Sequence, residues 1–356
     1  MAQSVIIVGA GIIGAATALQ LARAGARVTV VAAGGGDATA AAFGWINASF
    51  YLDDDHHRLR VLGMAAWHRL LAGVPVSVDW SGCLCWDMAG DDLGRTYDQL
   101  KGHGYPVRRL TREAVAAMEP GLAALPEEAL FFPQEGAAPS GDVAAALLLA
   151  AQGHGARVIR NVAVTKVLSG EAAGVETTHG TLHADQVVLA AGTGTPALAA
   201  TMGAAVPLVP RPAYILRTMP TRRMVNHVLA TPEGEIRQEP NGQILMPVAI
   251  SHQGDAAEQL EMSPDAAADA AMVRLRGMFR DADDLQWAEV IRAERPVPQD
   301  GLPIIGSLGA GVYAAVLHSG ITLGPLVGEL VAKDLMGAGD NETAAVLAPY
   351  RPDRFA

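Results

Sequence analysis

Cysteine is nearly missing: the 356 residues contain two, Cys83 and Cys85. Two cysteines at i, i+2 make no disulfide framework, no CxxC redox pair and no metal cluster. Inside Cys83-Leu84-Cys85-Trp86 they read as one packed face of a short strand. Basic charge is also scarce, with 26 Lys and Arg against 37 Asp and Glu and a formal net charge of -11. That balance argues against a nucleic-acid partner or an anionic membrane, while leaving room for a local basic pocket that holds a small anion. Long apolar runs are missing too. The first one has no basic lead and is broken by Gly9, Gly11 and Gly14, so neither a signal peptide nor a membrane span is expected, and the predicted location is cytoplasmic.

Several catalytic signatures are absent as well. The chain has no GxSxG and no HExxH, and its ten histidines show no metal-ligand spacing. No metal is expected. His56-His57 follows Asp53-Asp54-Asp55 and reads as an exposed helix start rather than a ligand pair.

What is present begins at Val5. The β-branched run Val5-Ile6-Ile7-Val8 meets Gly9-Ala10-Gly11-Ile12-Ile13-Gly14, continues as an Ala/Leu-rich helix, and returns after Gly25 as Arg27-Val28-Thr29-Val30-Val31. Strand, glycines, helix and strand in that order form a dinucleotide-binding βαβ unit. Gly9 makes the turn, Gly11 admits the pyrophosphate, and Gly14 lets the helix lie close to the sheet. The phosphates then face the helix N-terminus, where unpaired N–H groups and the dipole favour negative charge. The acidic residue expected at the end of the second strand is replaced by Ala32. These residues leave NAD and FAD both open. An enzyme with such a unit but no acid–base constellation is most economically a redox enzyme whose cofactor does the hard step.

Periodicity predicts helices over 54–71, 91–102, 111–118 (Thr111 as N-cap), 143–152, 264–279 and 323–336. Strands are predicted over 76–88, 156–159, 162–167, 174–177, 180–183, 186–190, 301–305 and 311–316. Between 213 and 291 an antiparallel pattern replaces the alternating one. The expected class is α/β with an α+β second domain: a Rossmann-like cofactor domain (1–75, 136–210 and 293–356) and a discontinuous antiparallel-sheet substrate domain (76–135 and 211–292). Phe43-Gly44-Trp45-Ile46-Asn47-Ala48-Ser49 combines small residues that allow close approach with Trp45 and Asn47 for stacking and hydrogen bonds. Arg295 beside Pro296 is placed to clamp a carboxylate with two parallel hydrogen bonds. Leu317-His318-Ser319-Gly320-Ile321-Thr322-Leu323 is a loop turning into a helix, suited to the polar edge of a flavin.

Together these segments resemble the D-amino-acid-oxidase superfamily of FAD-dependent oxidoreductases, in character near glycine oxidase, sarcosine oxidase and D-amino-acid dehydrogenases. The resemblance rests on the N-terminal fingerprint, Gly44–Ala48, Val187-Val188-Leu189-Ala190-Ala191-Gly192, Arg295-Pro296 with Asp300-Gly301-Leu302-Pro303, and His318–Thr322. It implies FAD across the first domain and a small amine or amino acid bearing a carboxylate over the ring. The electron acceptor it implies is oxygen or a quinone or redox protein.

The residues it implies toward FAD are Gly9, Gly11, Ile12, Ile13, Gly14, Ala32, Ala33, Thr39, Gly44, Trp45, Ile46, Asn47, Val164, Ala191, Gly192, Gly320, Ile321, Thr322 and Leu323. Arg295 matches the carboxylate-gripping arginine, Val164 the backbone contact to adenine, and His318 a hydrogen-bonding group near ring or substrate. The resemblance also implies that hydride passes from the substrate α-carbon to flavin N5 with the amine neutral, and that the imine then hydrolyses. No cysteine lies within 314–322, so the FAD is expected to be non-covalent. Ala32 departs from the family's ribose-binding glutamate, a loss of one or two charge-assisted hydrogen bonds of about 1.5–3 kcal/mol each, with Asp37 near enough in sequence to compensate. The competing readings are an NAD(P)-dependent dehydrogenase, which lacks a basic cluster after Val31, and a non-catalytic flavoprotein-like subunit.

Overall fold

The computed structural model describes residues 2–34, 37–88, 90–170, 173–250 and 256–356. Residues 35–36 and the side chain of Asp37, the proposed compensator for Ala32, lie outside the described residues.

The β-branched run forms the strand Ser4–Val8 at the centre of a six-stranded sheet. The order is Ile304–Gly309, Val312–Val316, Gln186–Leu189, Ser4–Val8, Arg27–Ala32, Arg157–Arg160. All neighbours are parallel except the first pair, which is a hairpin. Parallel strands are buried on both faces, which is why Val5, Ile6, Ile7 and Val8 are all inside. One face is covered by the helices Ile12–Arg23, Ser140–Gly153 and Gly320–Leu335, the first packing on the other two. The other face packs on the antiparallel strands Val164–Leu168, Gly174–Thr177 and Gly180–His183.

A second sheet of eight strands is assembled from two distant parts of the chain: Trp287–Glu294, Pro212–Thr218, Ile244–Pro247, Gly234–Gln238, Val228–Thr231, Cys83–Cys85, Glu128–Phe132 and Arg108–Thr111. Its neighbours are antiparallel except at Cys83–Cys85, which runs parallel to Val228–Thr231. The helix Pro264–Met278, with Ser263 as N-cap, covers an apolar face of this sheet. The α/β architecture with an antiparallel-sheet second part matches the sequence reading.

Some boundaries shift. The strand expected over 76–88 narrows to Cys83–Cys85. The helix expected from 143 starts at Ser140, and the one expected from 323 starts at Gly320. His56 and His57 are a correction: both are buried, at 6% and 5% exposure. Asp53 caps the helix Asp54–Leu71 by accepting from the His56 N–H, which turns this first turn inward.

Candidate active site

The carboxyl ends of the parallel strands and one edge of the eight-stranded sheet enclose a cavity of about 530 Å³. Ligands in α/β sheets sit at such carboxyl ends. Gly9 turns the chain there with φ +113°, and a Cβ on it would lie 2.2 Å from the Ala190 carbonyl oxygen. Gly14 stands behind the turn, where a Cβ would lie 2.1 Å from the Gly9 carbonyl oxygen. The helix Ile12–Arg23 begins at Gly11 without a side-chain cap or an acidic residue in its first turn, so its N-terminus is open to an anion. Thr39 Oγ1 accepts from the Ile12 N–H at 3.1 Å and ties the following loop to the turn.

Of the residues expected toward FAD, Gly9, Gly11, Ile12, Ile13, Ala32, Ala33, Thr39, Gly44, Trp45, Asn47, Val164, Ala191, Gly192, Gly320, Ile321 and Thr322 line this cavity. Arg295 and His318 line it as well. Gly14, Ile46 and Leu323 do not. Ile46 and Leu323 are fully buried, and Gly14 acts through packing on Gly9. Arg295 follows the strand Trp287–Glu294, and its Nε donates to the Arg211 carbonyl at 3.2 Å. The Ala32 carbonyl accepts from the Val162 N–H at 3.1 Å, tying the end of the strand Arg27–Ala32 to the chain just before Val164.

The 45–49 segment and the start of the helix Gly320–Leu335 are locked together. Thr322 Oγ1 donates to the Trp45 carbonyl at 3.2 Å and accepts from the Asn47 N–H at 3.3 Å. Trp67 Nε1 donates to the Ile321 carbonyl at 2.9 Å, anchoring the helix Asp54–Leu71 to the same point. Ser319 takes a left-handed conformation (φ +58°), and the helix that follows has no side-chain cap. A second uncapped helix N-terminus therefore opens into the cavity.

Two charged residues missed in the sequence hold this region. Arg60 is 3% exposed and lines the cavity. Its Nε donates to the Asn47 carbonyl (3.1 Å), Nη2 to Asn47 Oδ1 (2.5 Å) and Nη1 to Ser319 Oγ (2.7 Å). Burial lowers its pKa to about 10, opposed by the charge of Glu135. Glu135 is fully buried. It accepts from Trp45 Nε1 (2.9 Å), the Ala48 and Ser49 N–H groups (3.2 and 3.0 Å) and the Tyr105 hydroxyl (2.8 Å). Burial pushes its carboxyl up to about 7 against those hydrogen bonds. A readable signal for Arg60 exists: His56, Arg60, Gly63 and Trp67 recur at helical spacing and are all buried. Glu135, in a loop after Phe131-Phe132-Pro133, has no such signal.

The residues fit FAD. A glycine cradle that no Cβ could enter and two helix N-termini without a cap from their own first residue, both lining one cavity of about 530 Å³, suit a diphosphate joined to a planar ring. Both cysteines are buried in the second sheet, and neither lines the cavity, consistent with a non-covalently held group. Among the described residues no group of three or more His, Cys, Asp or Glu is placed to hold a metal, and no helix is long and apolar enough to cross a membrane.

Comparison with known proteins agrees. A glycine oxidase of Geobacillus kaustophilus is 30% identical over 97% of this chain and 95% of its own. The crystal structure of glycine oxidase from Geobacillus kaustophilus superposes with a TM-score of 0.86 over 98% of both chains, at 26% identity. L-proline dehydrogenase from P. horikoshii shares the fold at a TM-score of 0.87 and 20% identity, over 99% of this chain and 98% of that one. The family described as FAD dependent oxidoreductase matches residues 4–333, and with the cradle in place the conclusion is that the chain belongs to this family and is an FAD-using enzyme.

Proposed function

We propose that the protein oxidises the C–N bond of a small amine or amino acid bearing a carboxylate, of the glycine, sarcosine or D-amino-acid type. The observation that carries this reading is that one cavity is lined by the glycine cradle, the start of the helix Gly320–Leu335 and Arg295. FAD, when bound, supplies the two-electron acceptor for the hydride leaving the substrate α-carbon. Arg295 grips the substrate carboxylate through paired N–H donors and so sets the distance of that carbon. His318, beside Ser319 at 3.4 Å, hydrogen-bonds at the polar rim. Trp45 and Asn47, both buried, wall the site and exclude water. No side-chain base is required, because positioning and electrostatics suffice when the amine is neutral.

In this reading, segments 1–75, 136–210 and 293–356 form the cofactor part and 76–135 and 211–292 the substrate part. The other residues expected toward FAD keep their roles: Val164 by its backbone at the adenine, Ala32 and Ala33 at the ribose, and Ala191 and Gly192 along the cradle. Oxygen, a quinone or a redox protein takes the electrons onward.

The test is anaerobic titration of the purified yellow protein with glycine, sarcosine, D-amino acids and cyclic imino acids. Bleaching of the visible flavin band by one of them is expected, and Arg295→Ala should raise the concentration required by tenfold or more. A protein that no carboxylated amine bleaches, or an Arg295→Ala variant with unaltered affinity, overturns the assignment.

A further inference from the structure

Arg60 is a buried cation whose hydrogen bonds all go to neutral acceptors. Each of its three nitrogens has a partner, and these partners are the carbonyl and amide oxygen of Asn47 and the hydroxyl of Ser319. Among the described residues no carboxylate comes within 4.0 Å of it. Glu135 is the acidic group whose charge it feels, yet that carboxylate is occupied by Trp45, Ala48, Ser49 and Tyr105. Burying a guanidinium without a direct counter-ion is costly. The cost makes sense where a negative charge forms in the cavity during turnover.

We infer that Arg60 is the cation that balances the negative charge gained by the flavin when the substrate is oxidised. The inference rests on the C–N oxidation reading. A neutral amine losing hydride becomes an iminium cation, and the oxidised flavin receiving two electrons and one proton as that hydride gains one net negative charge. Arg60 bridges Asn47 and Ser319, and the latter immediately precedes the uncapped N-terminus of the helix Gly320–Leu335. A full charge and a helix dipole thus act at one place, in a setting where little water screens them. Arg292 and Arg295, by contrast, come from the edge strand Trp287–Glu294 and the residue just after it, and Arg295 is the group given to the substrate carboxylate. Asn47 and Ser319 keep the guanidinium aimed while contributing no charge that would cancel it.

The experiment compares wild type, Arg60→Gln and Arg60→Lys as FAD-loaded proteins. The readouts are the two-electron midpoint potential against reference dyes and the affinity for sulfite, an anion whose binding bleaches flavin and is favoured by a nearby cation. Arg60→Gln should bind sulfite at least tenfold more weakly, with a potential lower by about 30 mV for each tenfold change. Arg60→Lys, which keeps the charge, should recover most of both. Unchanged potential and sulfite affinity in Arg60→Gln together with a raised KM would overturn the inference and give Arg60 to the substrate carboxylate. So would an Arg60→Lys variant that binds sulfite tenfold or more weakly than wild type, with its potential lowered to match, and this comparison with wild type stands even if Arg60→Gln fails to fold. A wild type that responds to sulfite but to no amine fails the substrate reading instead, leaving the role of Arg60 to be read from potential and sulfite.

Discussion

Trp45 Nε1 donates to one oxygen of Glu135, while the other oxygen receives the Ala48 and Ser49 N–H groups and the Tyr105 hydroxyl. One buried carboxylate thereby shapes the segment that walls the cavity. Glu135→Gln keeps three of these acceptor contacts but turns an amide NH2 toward the indole N–H, so two donors face each other. Loss of a hydrogen bond to a charged acceptor costs about 1.5–3 kcal/mol, and urea unfolding should report a decrease of that size. Adding Trp45→Phe removes the opposing donor. The double variant should then be less destabilised than the sum of the two singles, as a double-mutant cycle would show.

Gly14→Ala should be severe. The new methyl would lie 2.1 Å from the Gly9 carbonyl oxygen, so helix and turn must part, at a cost of about 1–3 kcal/mol or more, and the cradle opens. The expected product is a colourless protein with a lowered thermal midpoint that added FAD does not restore. Gly141→Ala is the control, since its methyl meets nothing within 4 Å. Purification with wild-type flavin content for Gly14→Ala would show that the close contact does not matter.

Ala32→Glu should strengthen the cofactor site. Ala32 lines the cavity at the end of the strand Arg27–Ala32 and offers no side-chain acceptor to a ribose hydroxyl. One charge-assisted hydrogen bond is worth about 1.5–3 kcal/mol, which is tenfold or more in Kd. Quenching of flavin fluorescence on titrating apoprotein measures it. An unchanged Kd would mean that the ribose does not rest against residue 32.

Two buried groups should give opposite pH dependences. His56 accepts the Leu52 N–H at Nδ1, and burial, with Arg60 and His57 nearby, lowers its pKa from 6.5 to about 3. The native state then binds fewer protons than the unfolded one, so this group removes stability as pH falls from 6.5 toward 3. Burial raises Glu135 from 4.5 to about 7. In that window the native state binds more protons, and stability is lost as pH rises from 4.5 to 7. Each effect amounts to a few kcal/mol, at about 1.4 kcal/mol per unit, and between pH 4.5 and 6.5 they oppose one another. The advantage of wild type over His56→Asn should shrink on acidification, and its advantage over Glu135→Gln should shrink toward pH 7. Parallel stability curves for all three proteins would rule out both assignments.

The cradle is legible in the sequence because its rule is local: a β-branched strand, a turn with positive φ and an uncapped helix leave one pattern within the residues from Val5 to Gly14. Arg295 and the 318–322 loop are legible through their place in a longer ordered set of segments. Glu135 obeys no local rule, and for Arg60 the buried stripe His56-Arg60-Gly63-Trp67 marks the face but not the partners. Arg60 is held by a hydroxyl 259 residues away and Glu135 by an indole 90 residues away, so their burial follows from partners that adjacent sequence does not specify. The histidine pair fails for a related reason. Three aspartates suggest water, but the capping bond from Asp53 and the packing of Tyr51 and His103 against the His57 ring turn that face inward.

The six-stranded sheet carries a consequence for how the chain is made. Its central strand, Ser4–Val8, takes neighbours at Arg27–Ala32 and Gln186–Leu189, and the latter pairs in turn with Val312–Val316. During synthesis the early βαβ unit emerges long before the segments that complete its sheet and close the nucleotide cavity. Such distant pairings carry a high loop-closure cost and slow folding. A cofactor that binds the closed form draws the equilibrium toward it by mass action. The yield of correctly assembled protein in a cell should therefore follow riboflavin supply, most steeply in variants whose ring or ribose contacts have been weakened.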